Sequence, residues 1–152
     1  MKTRKILVPI DFSGGSKKAL RYAVHFAKEL RACIILLHVV QPAGDVYEDE
    51  LVHRLRAWAD EFVPGGISAQ IQMRTGPEAI EIVKEAKNPG VSLMIISTHG
   101  RTGRAHSLAG SLAENLVQLA PCPVLVVREH ERDFIEASTE TTTAADNVAS
   151  AI

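Results

Sequence analysis

Apolar and polar residues occur along this chain in blocks that predict five strands separated by four helices. The apolar blocks, which predict the strands, cover residues 4–10, 33–40, 67–74, 91–96 and 121–128. Four of these blocks are nearly continuously apolar, as is typical of parallel strands covered on both faces. The third block alternates apolar and polar positions, which favours a strand near one edge of the sheet.

The segments between the apolar blocks carry apolar residues at helical spacing, with charged residues on the opposite face. These helical stripes run over residues 20–30, 51–62, 79–86 and 112–119. Ser13 or Ser16 is placed to cap the first helix. Because strands and helices alternate, right-handed crossovers are expected. The pattern therefore predicts an α/β fold, a single-domain open parallel sheet of five strands with helices on both faces.

The domain is expected to cover residues 1–130. At 152 residues, the chain is long enough for one domain with a substantial core. Residues 131–152 are acidic and then rich in Ser, Thr and Ala, without an apolar period. Such a segment buries too little apolar surface to fold by itself, so a disordered or weakly helical tail is expected, to which we assign no function.

Charge and hydropathy exclude several classes of partner. The net charge is -1, and the cations are scattered along helical polar faces, which argues against nucleic acid. The apolar runs are far shorter than the roughly 20 residues that span a bilayer, and no signal-peptide core follows the first residues. We therefore expect a soluble cytoplasmic protein with no membrane partner. Cys33 and Cys122 lack metal or redox spacing and are expected to be reduced, buried thiols.

The histidines do not predict a metal site. His38 lies inside an apolar strand and is expected to be a core histidine whose polar atoms are satisfied. His99 and His106 share a loop, but no third ligand occurs at a recognisable spacing. No metal ligand is therefore assigned to the protein.

The segment after the fourth strand combines glycines, arginines and hydroxyl groups. Gly100 and Gly103 allow the backbone to approach a phosphate closely. Gly110 and Ser111 begin the fourth helix, where backbone amides and a hydroxyl favour an anion. Arg101 is either a cationic donor to that anion or a solvated loop residue. Because ligands of open α/β sheets bind at the carboxyl ends of the strands, this segment predicts a phosphate site.

Several short sequence segments that are typical of one protein family occur in order along the chain. They are KILVPIDFS, LLHVV, ISTHGRTG, the pair Gly110-Ser111 and the closing APCPVLVVR. With them the chain resembles the universal stress protein family from Lys5 to Arg128. The resemblance implies the strand order 3-2-1-4-5. A subset of the family binds ATP through the motif Gly-x2-Gly-x9-Gly-Ser/Thr, where this chain has Ser97-x2-Gly100-x9-Gly110-Ser111.

The resemblance implies an ATP site in the crevice at the carboxyl ends of the first and fourth strands, with Mg²⁺ arriving on the phosphates. Pro9, Ile10 and Asp11 would flank the adenine, and the backbone of Val39 would contact it. Asp11 also fits a plain turn or helix-capping role. The full set of candidate nucleotide-binding residues is Pro9, Ile10, Asp11, Val39, Ile96, Ser97, Gly100, Arg101, Gly103, Gly110, Ser111 and Leu112.

The fifth strand is a sheet edge in the implied order. An apolar edge strand aggregates unless something pairs with it, and antiparallel pairing with a second copy satisfies it by two-fold symmetry. A homodimer is therefore expected, and the family resemblance agrees. Coverage of this edge by the C-terminal tail is the alternative. The residues that would form the interface are Val124, Leu125, Val126 and Val127.

Two functions stay open at this point. The first is a stress-response homodimer that binds ATP and thereby alters what an unknown protein partner meets. The second is a dimeric interaction protein of the same fold with weak or no nucleotide binding, because Ser97 replaces the first glycine of the motif. No nucleophile and base occur at a recognisable spacing and the Walker lysine motif is absent, so no catalytic residue is assigned. Slow ATP hydrolysis is the most that is expected.

Overall fold

The computed structural model describes residues 3–42, 47–98, 111–129 and Ile135. Within these residues five strands and four helices alternate along the chain. They are β1 (Lys5–Pro9), α1 (Gly14–Leu30), β2 (Cys33–Val40), α2 (Glu48–Phe62), β3 (Ala69–Thr75), α3 (Glu78–Ala86), β4 (Val91–Thr98), α4 (Ser111–Leu119) and β5 (Val124–Arg128).

Each predicted element is present, but β3 and β5 begin two or more residues later than predicted. Residues 64–67 form a turn in which the Ile67 amide donates to the Pro64 carbonyl at 3.2 Å, so β3 begins at Ala69. The fifth strand begins at Val124, after Pro121 and Pro123, because proline has no amide hydrogen to give to the ladder. The predicted third and fifth strands were therefore too long at their amino ends.

The strands form one parallel sheet in the order β3-β2-β1-β4-β5. The chain moves outward from β1 in one direction through β2 and β3, and in the other through β4 and β5. This confirms the order that the family resemblance implied. It also makes the gap between the carboxyl ends of β1 and β4 the topological switch point, where ligands of such sheets bind.

Helices cover both faces of the sheet, as the sequence predicted. One face packs α1 and α2 through a buried core of Ile6, Val8, Leu20, Ala23, Ala27, Ile34, Leu36, Leu55 and Ile95. The other face packs α3 and α4 through Leu7, Ile35, Leu37, Ile82, Ala86, Met94, Ile96, Ala113 and Leu116. Because side chains alternate along a strand, neighbouring residues of β4 belong to different cores.

A network of ion pairs fastens α3 to the edge strand β3. The Arg74 Nε donates to Glu85 Oε2 at 2.9 Å, and the Arg74 Nη1 donates to Glu81 Oε2 at 3.2 Å. Lys84 Nζ donates to Glu81 Oε1 at 3.0 Å, and Asn88 donates to Glu85 Oε1 at 2.8 Å. Glu85 is only 3% exposed, so these bonds compensate for the burial of its charge.

Candidate functional site

The candidate site lies where β1 and β4 end beside each other. After β1 the chain enters α1 on one face of the sheet, and after β4 it leads to α4 on the other face. Eight candidate residues are described, namely Pro9, Ile10, Asp11, Val39, Ile96, Ser97, Ser111 and Leu112. The other four, Gly100, Arg101, Gly103 and Gly110, lie outside the described residues, as do His99 and His106.

Asp11 organises the turn that leads from β1 into α1. Its Oδ1 accepts a hydrogen bond from the Ser13 amide at 2.9 Å and another from the Ser13 hydroxyl. The Ser13 oxygen in turn accepts from the Ser16 amide at 3.2 Å, so Ser13 is the N-cap of the helix. The turn role of Asp11 is therefore real, and it holds the carboxylate half-buried at the carboxyl edge of the sheet.

Phe12 holds this turn from the side of α2. Its φ is +63°, in the left-handed region that bulky residues seldom adopt. The ring lies 4.9 Å from the His38 ring and meets the Trp58 ring edge-on at 5.3 Å. The guanidinium of Arg54 lies 4.3 Å above it. These contacts stabilise a strained residue. Because they join separate elements, no local sequence pattern predicts them.

His38 links the turn to β2. Its Nδ1 lies 2.6 Å from the Ile10 carbonyl oxygen, and because that oxygen can only accept, Nδ1 is the protonated donor. The Ile10 amide donates to the Leu37 carbonyl at 2.7 Å. His38 is thus the satisfied core histidine that was expected, and both backbone polar groups of Ile10 are already bonded within the protein.

The side chain of Ser97 points toward α1. A Cβ added to Gly15 would lie 2.6 Å from Ser97 Oγ and 3.0 Å from Ser97 Cβ. The serine therefore fills space over the first turn of α1 that the missing side chain of Gly15 leaves open. Gly15, which is distant in sequence, thus makes room for the serine that replaces the first glycine of the motif.

Thr98 ends β4 with its side chain on the opposite face. It is 1% exposed, and among the described residues its Oγ1 has no hydrogen-bond partner. Sequence reasoning missed this residue, because the motif treats the position as unspecified.

The remaining described candidates differ in burial. Ile10 and Ile96 are buried core residues, whereas Pro9, Val39 and Leu112 are half-buried and Ser111 is exposed. Among these residues, Pro9, Val39 and Ser111 are therefore the most accessible to a ligand.

The outer edge of the sheet is apolar. Among the described strands β5 pairs with β4 alone. Val124, Leu125 and Val126 are half-buried, and Val127 is buried. On the adjoining helix α4, Val117 is 53% and Leu119 is 58% exposed. These two helix residues are apolar and exposed, whereas the half-buried Ile135 packs against the core to which Leu125 and Val127 belong.

The described residues contain neither a metal-binding cluster nor a membrane-spanning helix. They contain no group of three or more His, Cys, Asp or Glu side chains that would bind a metal ion. None of their helices is long and apolar enough to cross a membrane. Cys33 is buried, as expected, but Cys122 is only half-buried, because it lies in the proline-containing turn before β5. Burial raises the pKa of the Cys122 thiol, which keeps it protonated near neutral pH.

The chain is similar to known proteins over most of its length. A model of the universal stress protein family matches residues 2–128. Universal stress protein YxiE of Bacillus subtilis (strain 168) is 34% identical over 145 residues, covering 82% of this chain and 98% of that protein. The structure of MJ0577 from Methanocaldococcus jannaschii is similar with a TM-score of 0.72 and 29% identity, covering 88% of this chain and 100% of that chain.

Two further solved structures were obtained with nucleotides. One is a universal stress protein in complex with cAMP, with a TM-score of 0.65 over 85% of this chain and 99% of that chain. The other is the universal stress protein from Archaeoglobus fulgidus in complex with dAMP, with a TM-score of 0.67 over 83% of this chain and 98% of that chain. Both are 20% identical to this chain, so the similarity concerns the fold.

Proposed function

Because this chain belongs to the universal stress protein family, we propose that it binds an adenine nucleotide in the crevice between the carboxyl ends of β1 and β4. The observation that carries the proposal is the position of Ser97. Its side chain lies against Gly15, so it leaves the space on the α4 side of β4 to a ligand. The departure from the glycine motif is thereby no steric obstacle to a phosphate.

The chemistry at the crevice suits a nucleotide. The half-buried Pro9 and Val39 offer apolar surface for the base, and the Asp11 turn lies at the same edge. Ser111 begins α4, where amides and a hydroxyl favour an anion. The adenine nucleotides bound by two proteins of the same fold, cAMP and dAMP, support adenine as the base.

ATP is the nucleotide we propose, with Mg²⁺ held through its phosphates. Gly100, Arg101, Gly103 and Gly110 would complete the phosphate side, by the spacing of the motif. Mg²⁺ retains several waters and binds through phosphates more readily than through an all-protein cage.

The proposal also includes a homodimer and a cytoplasmic location. Pairing through β5 would cover the apolar edge and give its outward amides and carbonyls partners. Cys33 and Cys122 are both free thiols, as is usual in a reducing compartment. We propose that this dimer acts in a stress response through its bound nucleotide.

Calorimetric titration of the nucleotide-free protein with Mg-ATP tests the binding site. We expect the wild type to bind with a dissociation constant in the micromolar range, and we expect Gly110→Trp to abolish binding. Gly65→Trp is the matched control, because a Cβ at Gly65 would meet no atom within 4 Å and it lies at the other end of the sheet. No heat of binding at millimolar ATP would overturn the proposal.

A further inference from the structure

Thr98 is a buried residue that carries a hydroxyl group at the carboxyl end of β4. It is 1% exposed, and its Oγ1 has no hydrogen-bond partner among the described residues. A buried hydroxyl without a partner lowers stability, so such groups in folded proteins call for an explanation. A bound ligand that accepts a hydrogen bond from the Thr98 hydroxyl is one such explanation.

The direction of this hydroxyl follows from its neighbours on β4. Ser97 contacts Gly15 on the α1 face, and side chains alternate along a strand. Thr98 therefore faces the other layer, where Met94 and Ile96 pack with α3 and α4. It does so at the carboxyl end of β4, on the side of the sheet from which α4 begins.

The first turn of α4 provides the complementary group. This helix runs from Ser111 to Leu119 and is attached to the same face through Ala113 and Leu116. The amides of a first helical turn lack partners within the helix, and the helix dipole places partial positive charge there. An anion at this end of α4 would lie on the side of β4 to which Thr98 points.

We propose that the Thr98 hydroxyl donates a hydrogen bond to a phosphate oxygen of the bound adenine nucleotide, beside the first turn of α4. This inference rests on the proposed function. A hydrogen bond to a charged oxygen is stronger than one between neutral groups, so a phosphate would compensate for the burial of the Thr98 hydroxyl. The Ser97 side chain, one position earlier in the motif, faces α1 and not this phosphate.

Thr98→Val tests this role, since valine keeps the shape and removes the hydroxyl. Calorimetry with Mg-ATP is expected to show an affinity about tenfold weaker, the effect of one such bond. Without nucleotide, the same variant is expected to melt at a higher temperature, because an unpartnered hydroxyl is gone. Thr98→Ser should keep the wild-type affinity within about threefold. Thr75→Val is the matched control, since Thr75 also ends a strand at this edge but is exposed.

The outcomes separate this inference from the proposed function. If the wild type binds Mg-ATP and Thr98→Val binds it equally well, the inference is wrong and nucleotide binding stands. A lower melting temperature of nucleotide-free Thr98→Val would show that the hydroxyl has a partner within the protein, and would also overturn it. Adenosine, measured by competition, should bind both proteins equally. If adenosine also loses affinity, the hydroxyl contacts the sugar and the phosphate assignment fails. A wild type that binds no nucleotide overturns both proposals.

Discussion

The side chain of Ser97 occupies the space that a side chain on Gly15 would need, at the junction of β4 and α1. A Cβ on Gly15 would lie 2.6 Å from Ser97 Oγ and 3.5 Å from the Thr98 carbonyl oxygen. Only the first of these distances is too short for a real contact. The serine, and not the strand backbone, is therefore what requires a glycine at this point of the helix.

The two positions should accordingly be coupled in stability. Gly15→Ala is expected to lower the free energy of unfolding by about 1–3 kcal/mol, through crowding against Ser97. In a Ser97→Gly background the same alanine should cost little, because the clashing atoms are absent. Urea denaturation of the two single variants and the double variant measures the coupling. Additive effects of the two substitutions would contradict the packing of Ser97 against Gly15.

Phe12 supports a second prediction, on the turn that carries Asp11. Phe12→Ala loses the ring contacts and keeps the unfavourable φ of +63°, so we expect a loss of about 2 kcal/mol. Phe12→Gly loses the same contacts but relieves the backbone strain, and it should be more stable than the alanine variant by about 1 kcal/mol. Chemical denaturation gives the order of the two.

Phe26 is the control for this order. It is also half-buried, but it lies within α1, where glycine is less favourable than alanine. Phe26→Gly should therefore be less stable than Phe26→Ala. If Phe12→Gly is also less stable than Phe12→Ala, backbone strain at Phe12 does not determine the stability of the turn.

Much of the fold follows from the sequence because its signals are local. The apolar runs and helical stripes determine which residues form strands and helices, and alternation along β4 places Ile95 and Ile96 in different cores. The strand order needed the family resemblance, since periodicity alone does not say which strands are neighbours.

The site was less predictable because its geometry depends on contacts between distant segments. The motif identified Ser97 as the doubtful position, but the space that its side chain fills is left by Gly15, in another element. Thr98 carries no local signal, since its hydroxyl is unusual only when its burial and lack of a partner are known. The left-handed Phe12 likewise opposes the preference of its own residue type.

The acidic pair on α3 gives a prediction on pH. The hydrogen bond from Lys84, with a further contribution from Arg74, lowers the pKa of Glu81 from its ordinary value of 4.5. A lowered folded-state pKa means that the ionised carboxylate stabilises the fold. That stabilisation is complete above the unfolded-state pKa and is lost as the pH falls through the folded-state value.

The melting temperature of the wild type should therefore fall as the pH drops below about 4.5, and Glu81→Gln should flatten this part of the profile. Glu61→Gln is the control, because Glu61 is exposed and lies on α2, away from the Arg74 network. Its profile should follow that of the wild type. An unchanged slope in Glu81→Gln would show that the network contributes nothing to the acid limb.

The hydrogen-bonding pattern between β4 and β5 shows which amides of β5 point outward, and this gives a test of the dimer. The Met94 amide donates to the Pro123 carbonyl at 2.9 Å, so in this parallel pair the amides of Leu125 and Val127 point toward β4 and that of Val126 points outward. Val126→Pro removes an outward donor and replaces a half-buried side chain. It is expected to keep the fold, as judged by circular dichroism, while turning the proposed dimer into a monomer.

Sedimentation equilibrium over a range of concentrations measures this change. A wild type that is monomeric at every concentration would contradict the dimer. The deletion of residues 131–152 then separates the two ways of covering the edge. If the tail covers β5, the wild type is a monomer and its truncation creates a dimer. If a second copy covers it, the truncated chain stays dimeric and Val126→Pro dissociates it, because the outward amide of Val126 is then one of the bonds that join the two sheets.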